Sequence, residues 1–201
     1  MRRPRSFAII PACGQSRRMG TDKLTLRWRD STILQTVVRT WLASEIDHVC
    51  IVFTRARYDL QEMLADVNID KVLVPIAPAD MKGTIQVGLD FLQANYRPTR
   101  SDRWLVAPAD MPTLSATTIN QVLHAAAEYP QSIVLPVRQG KHGHPVAIPW
   151  KLAAEVAGIP EDEGLNFLWQ HHKPQEISVE ELGQDANTPD ELIKLRKSHN
   201  A

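Results

Sequence analysis

The 201-residue sequence lacks most features that mark secreted, membrane or nucleic-acid-binding proteins. Its two cysteines, Cys13 and Cys50, form no C-x-x-C pair, so we expect neither disulfide bonds nor a zinc site. Lys plus Arg and Asp plus Glu number 23 each, a balance that favours neither nucleic acid nor a membrane surface as partner. The apolar run from Phe7 to Ile10 is too short for a signal-peptide core or a membrane-spanning helix. We therefore expect a cytoplasmic protein.

The residues that are present suit one ordinary globular domain spanning positions 1–201. Hydrophobic residues make up 43% of the chain and charged residues 23%, which is enough apolar material for a core. Short, β-branched apolar runs alternate with segments of helical periodicity. The runs predict buried strands at Phe7 to Ile10, Val49 to Phe53, Val72 to Val74, Trp104 to Ala107 and Ile133 to Val137.

The segments between these runs predict helices. Ser31 is placed to cap a helix with an apolar face from Ile33 to Leu42, and Ser115 begins another. Helical patterns also cover Leu60 to Leu64 and Met81 to Leu92. Strands that alternate with helices predict an α/β fold with a three-layer, Rossmann-like, mostly parallel sheet. Ligands bind such sheets at the carboxyl ends of the strands.

The loop after the first predicted strand, residues 11–23, has the composition of a phosphate-binding loop. Gly14 and Gly20 let the backbone fold closely around an anion, while Arg18 and Lys23 offer positive charge to phosphate oxygens. No Gly-Lys-Ser/Thr closes the loop and no G-x-G-x-x-G occurs, so it is neither a Walker loop nor a dinucleotide fingerprint. The alternative is an ordinary surface loop with solvated arginines. In either case we expect Lys23 to be an exposed loop lysine that contributes little to stability.

The order of residues in this loop resembles the A-A-G-x-S-x-R-M-G-x-x-K signature of the MobA-like nucleotidyltransferases, especially the molybdenum cofactor cytidylyltransferases. The matching positions are Ala12, Gly14, Ser16, Arg18, Met19, Gly20 and Lys23, whereas Pro11 and Cys13 depart from the signature. The resemblance implies a fold of the nucleotide-diphospho-sugar transferase type. It also implies catalytic roles for Arg18 and Lys23. The nucleotide-binding residues that it implies in this loop are Ala12, Cys13, Gly14, Ser16, Arg18 and Lys23.

Two later motifs contain acidic residues that are candidate metal ligands. Asp110 ends an apolar strand, where a carboxylate suits Mg²⁺, although an isolated Asp-x-Pro more often forms a turn. The segment resembles the family's L-x-D-x-P element, which implies a catalytic, nucleotide-binding and metal-binding role for Asp110. Residues 185–192 resemble the D-I-D-T-P-E-D-L ending, which implies Asp185 as a second metal ligand; Asn187 stands where a second Asp is common. Pro189 also predicts the start of a helix.

The remaining motifs concern the acceptor and the nucleoside. Residues 143–146 resemble the family's G-H-P-V segment, which implies that Gly143, His144 and Pro145 line the acceptor side. Asp162 matches the G-D-x-G-A-R element, but Leu165 and Asn166 replace its Ala-Arg pair, which leaves the acceptor open. Around residue 84 the match is weaker: Thr84 implies nucleotide binding, whereas Lys82 departs from the pattern and is interpreted either as a phosphate or acceptor contact or as an idle exposed side chain.

Taken as a whole, the resemblance implies a Mg²⁺-dependent enzyme that transfers CMP from CTP to a phosphorylated acceptor such as molybdopterin, with release of pyrophosphate. Two alternatives remain from the sequence. One is a sugar-1-phosphate or other small-molecule nucleotidyltransferase of the same fold. The other is a non-catalytic nucleotide-binding chaperone of a molybdoenzyme.

Overall fold

The structure, a computed structural model, describes residues 2–14, 22–185 and 188–199. The strands of this part of the chain are β1 (Ser6–Pro11), β2 (Arg27–Trp28), β3 (Ser31–Thr32), β4 (His48–Thr54), β5 (Asp70–Val74), β6 (Arg103–Val106), β7 (Val134–Arg138), β8 (Lys141–His142), β9 (Val146–Pro149) and β10 (Gln175–Ser178). The α-helices are α1 (Ile33–Leu42), α2 (Tyr58–Met63), α3 (Met81–Tyr96), α4 (Ala116–Glu128), α5 (Phe167–His171) and α6 (Pro189–His199). Short 3₁₀ helices cover Lys23–Thr25 and Trp150–Gly158.

Within the described residues, eight strands form one mixed sheet in the order β10-β7-β9-β6-β1-β4-β5, with β8 beside β7. β1 pairs in parallel with β4 and β6, and β4 pairs in parallel with β5. β9 is antiparallel to both of its neighbours, β6 and β7, and β10 returns in parallel beside β7. The prediction of a mostly parallel α/β sheet is confirmed. The carboxyl ends of β1, β4, β5, β6 and β7 therefore lie along one edge, where ligands bind in such folds.

The alternation of side chains along β1 explains the three layers. Successive side chains of a strand point to opposite faces of the sheet. Phe7 and Ile9 pack in the cluster that includes α3, the Trp150–Gly158 helix and α5, whereas Ala8 and Ile10 pack with α1, α4 and α6. Because both faces of this strand are covered by helices, its sequence is a continuous apolar run.

The helix starts follow the capping rules, with one correction. Thr32, rather than Ser31, caps α1, since its hydroxyl oxygen accepts a bond of 3.2 Å from the N–H of Gln35. Ser31 lies in β3, and its hydroxyl donates instead to the Gln35 side chain at 2.9 Å. The cap predicted at Ser115 is confirmed: its hydroxyl accepts from the N–H of Thr118 at 3.1 Å.

At the amino end of β6, Asp102 joins the start of the chain to the sheet. Its carboxylate, which is fully buried, accepts bonds from the N–H groups of Arg5 and Thr99 at 2.7 and 2.8 Å and pairs with the Arg2 guanidinium at 2.7 Å. Burial alone would raise the pKa of Asp102, but these donors and the positive charges outweigh it, so the pKa lies below its ordinary value. Asp102 therefore remains charged in the folded protein.

A glycine sets the distance between α3 and the sheet. A Cβ atom at Gly88 would lie 2.8 Å from Cγ2 of Ile9 and 3.3 Å from Cγ2 of Val52. The helix can approach β1 and β4 this closely because residue 88 has no side chain. None of the helices in the described ranges is long and apolar enough to cross a membrane.

Candidate functional site

Lys23 and Asp110 meet at the ligand-binding edge of the sheet. Asp110 follows β6, and Lys23 opens the 3₁₀ helix that follows the phosphate loop. The ammonium of Lys23 forms an ion pair with Oδ2 of Asp110, and the two side chains are only 17% and 15% exposed. The expectation that Lys23 is an exposed lysine that contributes little to stability is therefore wrong, because its side chain is largely buried and paired with Asp110.

The second carboxylate oxygen of Asp110 bears on whether a cation can bind here. Oδ1 is buried, and it has no hydrogen-bond partner among the residues that the structure describes. A buried carboxylate oxygen without a partner is costly, and such atoms commonly bind an ion or a ligand group. A hard, oxygen-seeking divalent cation fits this atom. The described ranges contain no group of three or more His, Cys, Asp or Glu side chains that could hold a metal ion.

The segment that carries Asp185 packs against the loop that follows Asp110. The N–H of Gln184 donates to the hydroxyl of Thr113 at 2.6 Å, and Thr113 donates back to the carbonyl of Gln184 at 3.4 Å. A Cβ atom at Gly183 would lie 3.3 Å from the Leu114 backbone. The structure thus brings the two predicted metal ligands, Asp110 and Asp185, to the same end of the sheet, although they are far apart in sequence.

His144 lies beside both carboxylates. Burial lowers the pKa of His144, while the charges of Asp110 and Asp185 oppose that shift without reversing it. Its Nδ1 atom lies 3.3 Å from the carbonyl oxygen of Val106, which can only accept, so Nδ1 carries the hydrogen. At neutral pH the ring is therefore neutral, with Nε2 as an acceptor.

Gly143 and Pro145, the neighbours of His144 in the predicted acceptor segment, are packed against the rest of the protein. Gly143 packs directly on Leu182, since a Cβ atom at residue 143 would lie 2.4 Å from the Leu182 side chain. Its N–H donates to the carbonyl of Pro136 at 2.9 Å. Pro145 is buried and is joined to His144 by a cis peptide bond. The acceptor-binding roles of these residues stay predictions.

The start of the phosphate loop is anchored to the sheet. The N–H of Ala12 donates to the carbonyl of Val52 at 2.8 Å, so this amide is not oriented towards a phosphate. The Cys13 thiol donates to the same carbonyl at 3.6 Å and contacts the Thr84 hydroxyl, and burial raises its pKa. Thr84 is buried and its hydroxyl donates to the carbonyl of Asp80 at 3.1 Å.

Gly14 is the first exposed position of the loop, with open space where a side chain would be. The predicted phosphate ligands Ser16 and Arg18 lie outside the described residues, as does Asn187. The nucleotide-binding and catalytic roles given to this loop therefore stay predictions.

Sequence reasoning missed a contact that fixes the backbone at Lys23. Asp22 caps the 3₁₀ helix, accepting from the N–H of Leu24 at 3.0 Å, and its other oxygen pairs with the Arg57 guanidinium. Arg57 also forms a two-bond fork with Asp59, at 2.9 and 2.7 Å. The position of Asp22 before a short helix was a usable capping signal. Arg57 gave none, because its partner is distant in sequence.

On the acceptor side, Asp162 is exposed in a turn that follows the Trp150–Gly158 helix. Lys82, at the start of α3, binds this turn: its ammonium donates to the carbonyls of Ile159, Pro160 and Glu163 at 3.2, 2.5 and 3.3 Å. The interpretation of Lys82 as an idle exposed side chain is wrong, because the turn covers the side chain, which is only 15% exposed.

The ion pair of Lys23 and Asp110 thus lies at the edge of the sheet where ligands bind in α/β folds. The MobA-like NTP transferase domain matches residues 8–176. The chain belongs to this family of nucleotidyltransferases. Over 193 residues it is 24% identical to the molybdenum cofactor cytidylyltransferase of Escherichia coli (strain K12), an alignment that covers 95% of each protein.

Solved structures support the same fold. Rv0371c from Mycobacterium tuberculosis H37Rv superposes with a TM-score of 0.82 at 21% identity, over 96% of this chain and 98% of that one. A structure of the same protein in complex with manganese gives a TM-score of 0.78 at 21% identity, over 96% and 99% of the two chains. CMP:2-keto-3-deoxy-manno-octonic acid synthetase complexed with CTP gives 0.78 at 13% identity, over 98% of each chain. These likenesses confirm the predicted nucleotide-diphospho-sugar transferase type of fold.

Proposed function

We propose that this chain transfers CMP from CTP to a phosphorylated acceptor of the molybdopterin type and releases pyrophosphate. The observation that supports it best is the pairing of Lys23 with Asp110 beside the loop that carries the family signature. The cytidylyltransferase of Escherichia coli supports the choice of substrates. An acceptor phosphate oxygen attacks the α-phosphorus of the nucleotide, and the bond from that phosphorus to the bridging oxygen of pyrophosphate breaks.

The protein has little covalent chemistry to perform in such a transfer, so catalysis depends on positioning and on charge neutralisation. The attacking phosphate is already ionised, and no side chain has to remove a proton. Lys23 supplies a positive charge to the phosphates, and the ion pair between Asp22 and Arg57 holds the backbone that carries it. The neutral ring of His144 lies beside Asp110, and its Nε2 atom can accept a hydrogen bond from a hydroxyl or amide group of the phosphorylated substrate.

A divalent cation, Mg²⁺ in this proposal, would be held by Asp110 and Asp185. The Oδ1 atom of Asp110, which has no hydrogen-bond partner among the described residues, and the similarity in fold to a protein that was solved with manganese support this assignment. When bound, the cation supplies charge neutralisation at the phosphate oxygens. Because only two carboxylates contribute, the affinity for the cation should depend on bound nucleotide.

A different phosphorylated acceptor is the second candidate. Leu165 packs against the hydrophobic cluster on the α3 face, and Asn166 adds no charge, where the resembled element carries Ala-Arg. A pocket without that arginine favours an acceptor with less negative charge, such as a sugar 1-phosphate. The transfer chemistry and the nucleotide site would be unchanged.

Pyrophosphate release, measured with each of the four nucleoside triphosphates, tests both candidates. Molybdenum cofactor and a sugar 1-phosphate serve as acceptors, and mass spectrometry identifies the product. We expect the highest kcat/KM with CTP and molybdenum cofactor. A clear preference for GTP would contradict the cytidylyl assignment, and turnover with the sugar phosphate alone would replace the acceptor. Nucleotide binding without turnover on any acceptor would favour a chaperone role.

A further inference from the structure

Lys82 is a partly buried cation whose partners are mostly backbone atoms. A lysine ammonium has three N–H donors, and here three carbonyl oxygens, those of Ile159, Pro160 and Glu163, surround it within 3.3 Å. Oδ2 of Asp80 lies 3.8 Å away and balances the charge. With its donors used in this way, Lys82 is not available to bind a phosphate, which was one of the two roles that the sequence allowed.

The turn that Lys82 binds, residues 159–164, is attached at both ends. The N–H of Ile159 donates to the carbonyl of Val156 at 3.3 Å, and the carbonyl of Gly164 accepts from the N–H of Phe167 at 3.0 Å. Between these ends one internal backbone bond is described, from the N–H of Glu163 to the carbonyl of Pro160 at 3.1 Å. Glu161, Asp162 and Glu163 are three consecutive acids in this turn. Ile159 is buried at one end, and the rest of the turn is mainly exposed. Without the Lys82 ammonium, three converging carbonyl oxygens would lose the donor that they share.

The first turn of α3 also contacts Cys13, at the beginning of the predicted nucleotide-binding loop. Asp80 caps α3, accepting from the N–H of Gly83 at 2.7 Å, and Thr84, one position further, contacts Cys13 beneath the phosphate loop. The first turn of α3 therefore contacts the nucleotide side through Thr84 and the turn that carries Asp162 through Lys82.

We propose that Lys82 is a positioning residue that fixes the turn of residues 159–164 against α3 and thereby sets the acceptor side of the pocket relative to the nucleotide. This proposal rests on the proposed function for the identity of the acceptor. Its structural half, the dependence of the turn on the Lys82 ammonium, does not.

The first test is hydrogen exchange on the full chain without substrates. Lys82→Met keeps an unbranched side chain of similar length and removes the charge. We expect faster exchange in peptides that cover residues 157–167 and unchanged protection elsewhere. Lys71→Met is the matched control, because the Lys71 ammonium also donates to a backbone carbonyl, that of Ala65 at 3.1 Å, but at an exposed site. Equal exchange of the turn in Lys82→Met and wild type would overturn the proposal.

The second test separates acceptor from nucleotide. The bonds that Lys82 makes are internal to the protein, so their loss reaches the acceptor only through the position of the turn. If acceptor binding loses about as much free energy as one hydrogen bond to a charged group contributes, the affinity falls about tenfold. We therefore expect the KM for molybdenum cofactor to rise about tenfold in Lys82→Met, with the KM for CTP within about twofold. Lys82→Arg keeps the charge but has a planar fork, and we expect partial recovery of both the exchange protection and the KM.

The outcomes of the two tests can be told apart. An equal rise of both KM values in Lys82→Met, or a rise for CTP alone, would overturn the acceptor-side role. If Lys82→Met does not fold, Lys82→Arg carries the same comparisons with smaller expected changes. If the wild-type chain transfers nothing to molybdenum cofactor, the proposed function fails, and hydrogen exchange alone then decides whether Lys82 holds the turn.

Discussion

Replacing Lys23 with Met should reduce both turnover and stability, and the two effects have separable causes. In the proposed mechanism the lost cation faces the phosphates in the transition state, and the loss of one such group typically lowers kcat by about 10²- to 10³-fold. The lost ion pair leaves Asp110 partly buried without its partner. Exposed pairs contribute about 0.2–1 kcal/mol, whereas breaking a buried pair costs about 3–5 kcal/mol.

The side chains of this pair are 17% and 15% exposed, which places them between those limits, so we expect a loss of about 2 kcal/mol. For a chain of this length the loss corresponds to a fall in Tm of about 4–8 °C. The double variant Lys23→Met/Asp110→Asn removes both charges and should regain most of that stability, but it should not regain turnover.

Thermal unfolding and steady-state pyrophosphate release measure the two effects on the same samples. Lys151→Met is the control, because the Lys151 ammonium donates to the Gln131 side chain at 2.7 Å on the exposed surface. If Lys23→Met unfolds at the same temperature as Lys151→Met and retains its turnover, both the structural and the catalytic assignment of Lys23 are wrong. If the double variant is less stable than either single variant, the stability effect does not come from this ion pair.

Two further predictions concern stability alone. Gly88→Ala should destabilise the fold by about 1–3 kcal/mol, because the added Cβ would lie 2.8 Å from the Ile9 side chain. Gly158→Ala is the control, since it adds a Cβ to open space and should leave the Tm unchanged. Equal Tm values for the two variants would contradict this packing argument. Asp102 has a lowered pKa, so its contribution is complete above the unfolded value of about 3.9 and is lost as the pH falls through the folded pKa. Urea unfolding at about pH 6 and about pH 3 should show a smaller acid loss in Asp102→Asn than in wild type, and an equal loss would contradict the role of this carboxylate.

Most of the fold was predictable because its parallel half carries strong local signals. The apolar runs at β1, β4 and β6 and the serine before α4 are such signals, and the structure has an element at each. β9 was missed, since Val146–Pro149 is a short buried run directly after a loop, and burial leaves no mark of strand direction in the sequence. Its antiparallel orientation depends on pairing with β6 and β7, which are contacts between distant parts of the chain.

The candidate site divides in the same way. Lys23, Asp110 and His144 were found through motifs, and the structure places them together. The burial of Lys23 was not predictable, because it depends on a tertiary ion pair. Lys82 and Arg57 were misjudged or missed for a related reason. The partners of Lys82 are carbonyl groups that every residue possesses, and Arg57 pairs with a residue far away in the chain.

The central claim is that the carboxylate of Asp110 binds the cation on which transfer depends. Initial rates of pyrophosphate release from CTP, measured against Mg²⁺ concentration for wild type, Asp110→Asn and Asp185→Asn, test it most directly. Asp110→Asn keeps the size of the side chain and removes its charge. We expect the wild type to release no pyrophosphate in excess chelator. Asp110→Asn should lose most of its rate, and saturating Mg²⁺ should not restore it. Asp185→Asn should lose less of its rate, and added Mg²⁺ should partly restore it, since water can replace one ligand. Normal turnover of Asp110→Asn at limiting Mg²⁺, or wild-type release that chelator leaves unchanged, would contradict the claim.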